Sequence, residues 1–203
     1  MALILLSLFG TAFATYIDFT ALSPSPPNIQ PSPYIAPMPG GTITISAFNL
    51  LTFEAEKLWW DSTDGFGVYG SGYENDEIEF PEVMSISFSS PVYVSYFNLT
   101  DLFIEGISNV KETGLYMIDG NPGSLQPFSQ NDPNVSNGEY MLLIDQTISE
   151  IWFSAFGKIF NNQNHEFSVA GVEVAPVSEP STMILLGCVL IVFGSFRRNK
   201  FKK

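Results

Sequence analysis

For much of its length the chain alternates polar and apolar side chains one by one. Thr42, Ile43, Thr44, Ile45 and Ser46 do so, and Met84, Ile86 and Phe88 alternate with Ser85, Ser87 and Ser89. A period of two is the mark of a strand with one buried face. The same reading predicts strands over 92–99, 115–118, 139–144, 150–156 and 166–174, each bounded by Gly, Pro, Asn or Asp. In the last of these, Phe167 and Val169 share a face. Val172 and Val174 join that face only if Ala170-Gly171 inserts a bulge. No stretch of the body keeps a helical period over three turns. The pattern predicts a mainly β protein, an antiparallel β-sandwich of jelly-roll type over 41–175, with barrel closure as the alternative.

The segments outside that domain follow other patterns. Residues 23–39, SPSPPNIQPSPYIAPMP, hold seven of the 14 prolines. Proline fixes φ and deletes a donor, so 15–40 reads as an extended lead-in lying on the surface, with 18–21 able to pair as an edge strand. Residues 1–14, MALILLSLFGTAFA, are apolar. Ala12 and Ala14 stand at the positions a signal peptidase reads, which places a cut before Thr15. No basic residue precedes Leu3, so the alternatives are a truncated signal peptide or a hydrophobic first strand. At the other end, residues 182–196 form an uncharged apolar run inside a tail spanning 176–203. Fifteen helical residues reach about 22 Å, short of the ~30 Å hydrocarbon layer, and snorkelling of Arg197 and Lys200 narrows the gap. The expectation is a C-terminal transmembrane helix with the basic end inside and the body across the membrane. The alternative is a buried core helix.

Charge sharpens the picture. The formal net charge is −13, but five of the eight basic residues lie in the last seven positions. Ahead of Ser178 stand three lysines against 20 acidic residues, a net of −17. Such a body repels a phosphate backbone, which argues against nucleic acid as a partner. The one cysteine, Cys188, lies in the apolar run, so the body can form neither a disulfide nor a thiolate metal site.

The order Ser178-Glu179-Pro180-Ser181-Thr182, then a short apolar run, then Arg197-Arg198, resembles the PEP-CTERM sorting signal of Gram-negative bacteria. The family's usual first residue is proline, where this chain has Ser178. A looser likeness to the same family's jelly-roll bodies lies in Gly65-Phe66-Gly67-Val68 followed by Asp76-Glu77-Ile78. The resemblance implies export by the Sec machinery and retention in the inner membrane through the tail. It also implies processing near Ser178, Glu179 and Pro180 by an exosortase-type enzyme, and a mature form at the cell surface or in an exopolysaccharide matrix. Such a tail works as a temporary membrane hold, as a glycolipid-anchor signal does.

Candidate chemistry within the body is sparse. Gly65, Gly67 and Gly70 match a dinucleotide-loop spacing, but the acidic segment that follows would repel phosphate. Asp61, Asp64, Glu74, Asp76, Glu77 and Glu79 crowd into one short stretch. All-oxygen ligands suit calcium, so Asp64, Glu74, Asp76 and Glu77 are candidate ligands of a structural calcium ion, a solvated acidic loop being the alternative. His165 is the single histidine, and no nucleophile elbow accompanies it. Trp59, Trp60, Trp152, Tyr69, Tyr73 and Tyr93 offer aromatic surface for stacking on sugars, although adjacent Trp59 and Trp60 must face opposite ways on a strand. The expected function is a non-enzymatic, exported surface or matrix protein. The alternative is a carbohydrate-binding module, calcium-assisted, and a secreted glycoside hydrolase is less well supported.

Overall fold

The computed structural model describes residues 14–24, 27–70, 76–105, 110–132, 138–156 and 165–177. Among them run thirteen strands: β1 Thr15–Asp18, β2 Asn28–Gln30, β3 Tyr34–Met38, β4 Gly41–Asn49, β5 Ala55–Asp61, β6 Gly65–Tyr69, β7 Glu82–Thr100, β8 Ile104–Glu105, β9 Val110–Lys111, β10 Thr113–Ile118, β11 Gln126–Ser129, β12 Tyr140–Ala155 and β13 Ser168–Pro176. The described helical turn is a single 3-10 turn, Pro122–Ser124. All strand pairings are antiparallel, so the protein is mainly β as its alternation predicts. The residues from Phe13 to Pro176 form one compact unit.

Eleven strands join in one sheet, and β13 pairs with both β6 and β7. The path from β13 through β6, β5, β4 and β7 therefore returns to β13, a barrel-like closure. Closure leaves fewer unpaired edges than two open layers would. The predicted 84–88 and 92–99 segments are halves of one strand, β7, and 139–144 and 150–156 are halves of β12. Each long strand changes neighbours midway: the first half of β7 lies between β4 and β12, the second between β12 and β13.

The lead-in departs from expectation. Instead of only lying extended on the surface, it supplies β2 and β3, while β1 starts at Thr15, ahead of the 18–21 segment expected to pair. β3 carries Pro37 opposite Thr42, on a strand paired along one side alone, where a missing N–H costs no ladder bond.

The core is built from the inward faces. Ile43, Ile45, Leu58, Phe66, Met84, Ile86, Phe97 and Phe153 are fully buried. Each such side chain contributes about 1.5–3 kcal/mol relative to exposure. Phe97 meets Phe153 edge-on at 5.1 Å, and Phe128 meets Phe167 in the same way at 5.1 Å.

Two bulges decide what faces outward. On β13, Val169 pairs with Leu99 and Gly171 with Asn98, leaving Ala170 over. The predicted bulge is thus present, and Val172 and Val174 return to the core. On β7, Val94 pairs with Val174 and Tyr96 with Glu173, leaving Ser95 over. Phe97 and Leu99 then turn inward, while Tyr96 and Asn98 turn out beside Gly171 and Glu173.

The predicted C-terminal helix, and with it Arg197 and Arg198, lies outside the described residues. Among the described residues no helix is long and apolar enough to cross a membrane.

Candidate functional site

The outward face made by the two bulges carries a row of aromatic and polar side chains. β1 adds to it by pairing with β13, setting Tyr16 opposite Glu173 and Asp18 opposite Gly171. β12 adds Met141 opposite Asn98 and Leu143 opposite Tyr96. Tyr16 and Tyr96 stack with centroids 6.3 Å apart and planes at 27°. Asn98 Nδ2 donates to the Tyr16 hydroxyl at 2.9 Å, fixing the ring's far end. Gly171 makes room for this: a methyl group placed on it would lie 2.3 Å from the Tyr16 oxygen.

Against Tyr16 opens a cleft of about 540 Å³, lined also by Asp18, Thr63, Asn98, Thr100 and Glu139 among others. That volume is in the range of small-molecule sites. Its lining combines the Tyr16 and Tyr140 rings and the apolar Leu99, Met141 and Ala170 with hydroxyl, amide and carboxylate groups, which suits a ligand with both C–H faces and hydroxyl groups. Asp18 Oδ1 accepts from the backbone N–H and the hydroxyl of Thr20, at 3.0 and 2.6 Å, which holds the exit of β1 in place. The Tyr16 phenol is pushed above its usual range, first by burial and then by Asp18, against the opposing effect of the Asn98 hydrogen bond. Tyr96 is also raised, by desolvation and then by Glu173. Both phenols therefore keep their protons, and with them a donor, through the physiological range.

Beside the cleft, and sharing Thr63 and Thr100 with its wall, lies a group of carboxylates. Asp61 Oδ1 accepts from the N–H groups of Thr63 and Asp64, at 2.7 and 2.8 Å, closing the turn between β5 and β6. Thr100 Oγ1 donates to the Asp64 carbonyl at 3.0 Å, tying that turn to the end of β7. Asp101 follows immediately. Its carboxyl is pushed up to about 7, by burial first and then by Asp64, Asp61 and Asp76. Glu77 is pushed up to about 10, by burial and then by Glu166, Asp101, Asp76 and Glu112. Glu77 Oε2 is buried without a hydrogen-bond partner.

Of the predicted calcium ligands, Asp64 and Glu77 are half-buried, Asp76 is exposed, and Glu74 lies outside the described residues. The fold brings Asp101, Glu112 and Glu166 toward them from distant parts of the sequence. Among the described residues, however, no three His, Cys, Asp or Glu side chains converge closely enough to hold a metal ion.

The aromatic residues expected to form one platform are dispersed. Trp59 stacks on Tyr69 at 6.3 Å and 17° on the outer side of β5 and β6. Trp60 faces inward, its Nε1 donating to the Phe19 carbonyl at 2.7 Å. Trp152 meets Phe48 edge-on and lines a separate apolar cavity of about 300 Å³. Tyr93 hydrogen-bonds to Asp145, and Tyr73 lies outside the described residues. The tyrosines in and beside the cleft, Tyr16, Tyr96 and Tyr140, escaped the sequence reading. The period-two alternation of Tyr16 with buried Ile17 was the available signal for the first.

His165 has a structural task. It is buried, its Nδ1 accepts from the Thr113 N–H at 3.1 Å, and burial lowers its pKa. A neutral ring acting as acceptor fits the start of β10.

Ala14 is exposed directly ahead of β1, so a cut before Thr15 leaves that strand whole. Ala12, Ser178, Glu179 and Pro180 lie outside the described residues. No protein-family model, curated protein or solved structure matches the chain.

Proposed function

We propose that the chain is an exported, non-enzymatic surface or matrix protein whose body binds a polysaccharide on the Tyr16 face. The observation that carries this reading is the cleft itself, lined by Tyr16, with Tyr96 stacked on that ring, and by hydroxyl, amide and carboxylate groups. Sugars present flat C–H faces to aromatic rings and hydroxyls to such walls, whereas the cavity against Trp152 is apolar. The finer fold in this reading is jelly-roll-like, with β12, β7, β13 and β1 as the binding layer.

Export and sorting complete the proposal. The signal segment ends before β1, and the tail from Ser178 to Arg198 serves an exosortase-type enzyme in the inner membrane of a Gram-negative cell. The mature body then sits in, or holds on to, exopolysaccharide. Calcium is a second element, supported by the raised carboxyls of Asp101 and Glu77: an ion drawing these groups together would relieve their repulsion.

The test is retention on a panel of insoluble polysaccharides, comparing the wild-type chain with Tyr16→Ala. Retention on at least one polymer, weakened about tenfold in the variant, is the expected result, since an aromatic contact is worth about 0.5–1.5 kcal/mol beyond its buried area. Equal retention of the two proteins sinks the site.

A further inference from the structure

We infer, resting on the polysaccharide reading above, that the preferred glycan is cationic, a polymer carrying free amino sugars. The cleft wall includes the carboxylates of Asp18 and Glu139, and both residues are exposed. Glu173 stands on the same face, opposite Tyr16 on one side and Tyr96 on the other. Through Thr63 and Thr100 the wall continues into Asp61, Asp64 and Asp101. The lysines among the described residues are Lys57 and Lys111, and neither lines the cleft. Lys111 Nζ is engaged with Asn131 at 2.6 Å, and Lys57 stands opposite Tyr69 on β5.

An anionic polymer meets only like charge here, and a neutral one leaves the carboxylates to water. An ammonium group on the sugar gains on two counts. It pairs with carboxylates on the wall, and it sits well over the face of a tyrosine ring. The field of the whole body, at a net −17 ahead of Ser178, draws a polycation toward the cleft and repels a polyuronate.

The experiment uses the full-length chain in a non-glycosidic detergent at mildly acidic pH and low salt. Its probes are glucosamine oligomers, their fully N-acetylated counterparts and galacturonate oligomers of equal length. The deacetylated oligomer should bind roughly tenfold more tightly than the acetylated one, and the advantage should vanish at high salt. Asp18→Asn combined with Glu139→Gln should bring the two affinities together. Both changes are isosteric and at exposed positions, and the amide oxygen that Asp18→Asn leaves in place still accepts from Thr20. An unchanged melting transition confirms the variant's fold. If acetylated or galacturonate oligomers bind as well as the amine, the charge inference is overturned while the polysaccharide reading survives. If no oligomer binds and no polymer on the panel is retained, both fall.

Discussion

Tyr16 lies across Gly171, so close that a methyl on the glycine would stand 2.3 Å from the phenol oxygen and 2.7 Å from the Ile17 carbonyl. Gly171→Ala should therefore lift the ring out of its stack with Tyr96 and loosen β1. The ring can rotate away, but the Ile17 carbonyl is backbone, so β1, an edge strand, must shift as well, at a stability cost of about 1–2 kcal/mol. Glycan retention should fall about as far as in Tyr16→Ala. Gly67→Ala is the contrast, since its methyl would meet the backbone carbonyl of Asp76 at 1.8 Å. That site cannot give way by rotating a side chain, and the loss should reach roughly 3 kcal/mol. Thermal melts of the two variants check the order.

The buried carboxyls set a pH dependence. An acid whose pKa is raised on folding adds its full stability below the unfolded pKa and loses it as pH rises through the folded one. Asp101 is raised from 3.8 to about 7 and Glu77 from 4.5 to about 10. With chelator present, the melting temperature should fall as pH rises from about 4 to 7, and decline further toward 10 through Glu77. The drop should be on the order of a few degrees. Asp101→Asn should make the slope below pH 7 shallower and leave the part due to Glu77. A melting temperature that climbs over that interval contradicts the assignment.

Calcium should act against the same repulsion. A cation that binds only the folded body raises its melting temperature by mass action, by the equivalent of about 2.7 kcal/mol at a hundredfold excess over Kd. Asp76→Asn with Glu77→Gln should remove the calcium-dependent part. Identical melts with calcium and with chelator would leave the group a solvated acidic loop.

The tail makes a cellular prediction. Replacing Glu179 and Pro180 with alanine should leave the precursor uncut in the inner membrane, visible as a heavier band in that fraction. Normal delivery of the variant at its mature mass argues against exosortase-type processing.

The mainly β, antiparallel class was legible in the sequence, the barrel-like closure stood there only as the alternative to a sandwich, and the outward face around Tyr16 was missed, for physical reasons. Alternation at 84–88 has one reading, because the intervening residues are all serine. The Ala170 bulge is legible because valines at 172 and 174 fall out of step with Phe167 and Val169. Around Ser95 the signal fails: Val94, Tyr96 and Phe97 are all apolar enough to face either way, so the slip that exposes Tyr96 and Asn98 leaves no mark. Counting prolines hid β2 and β3, since an edge strand tolerates a residue that a central strand cannot. Asp61, Asp64, Asp76 and Glu77 are neighbours in sequence, but Asp101 and Glu166 join them only through the fold.

Backbone hydrogen exchange with and without bound oligosaccharide locates the ligand on the protein. Binding on the Tyr16 face should slow exchange in β1, in residues 96–100 and in residues 139–143, and leave residues 57–60 and 150–156 unchanged. Protection centred on Trp59 and Tyr69, or around Trp152, would place the glycan elsewhere and rule out the Tyr16 face.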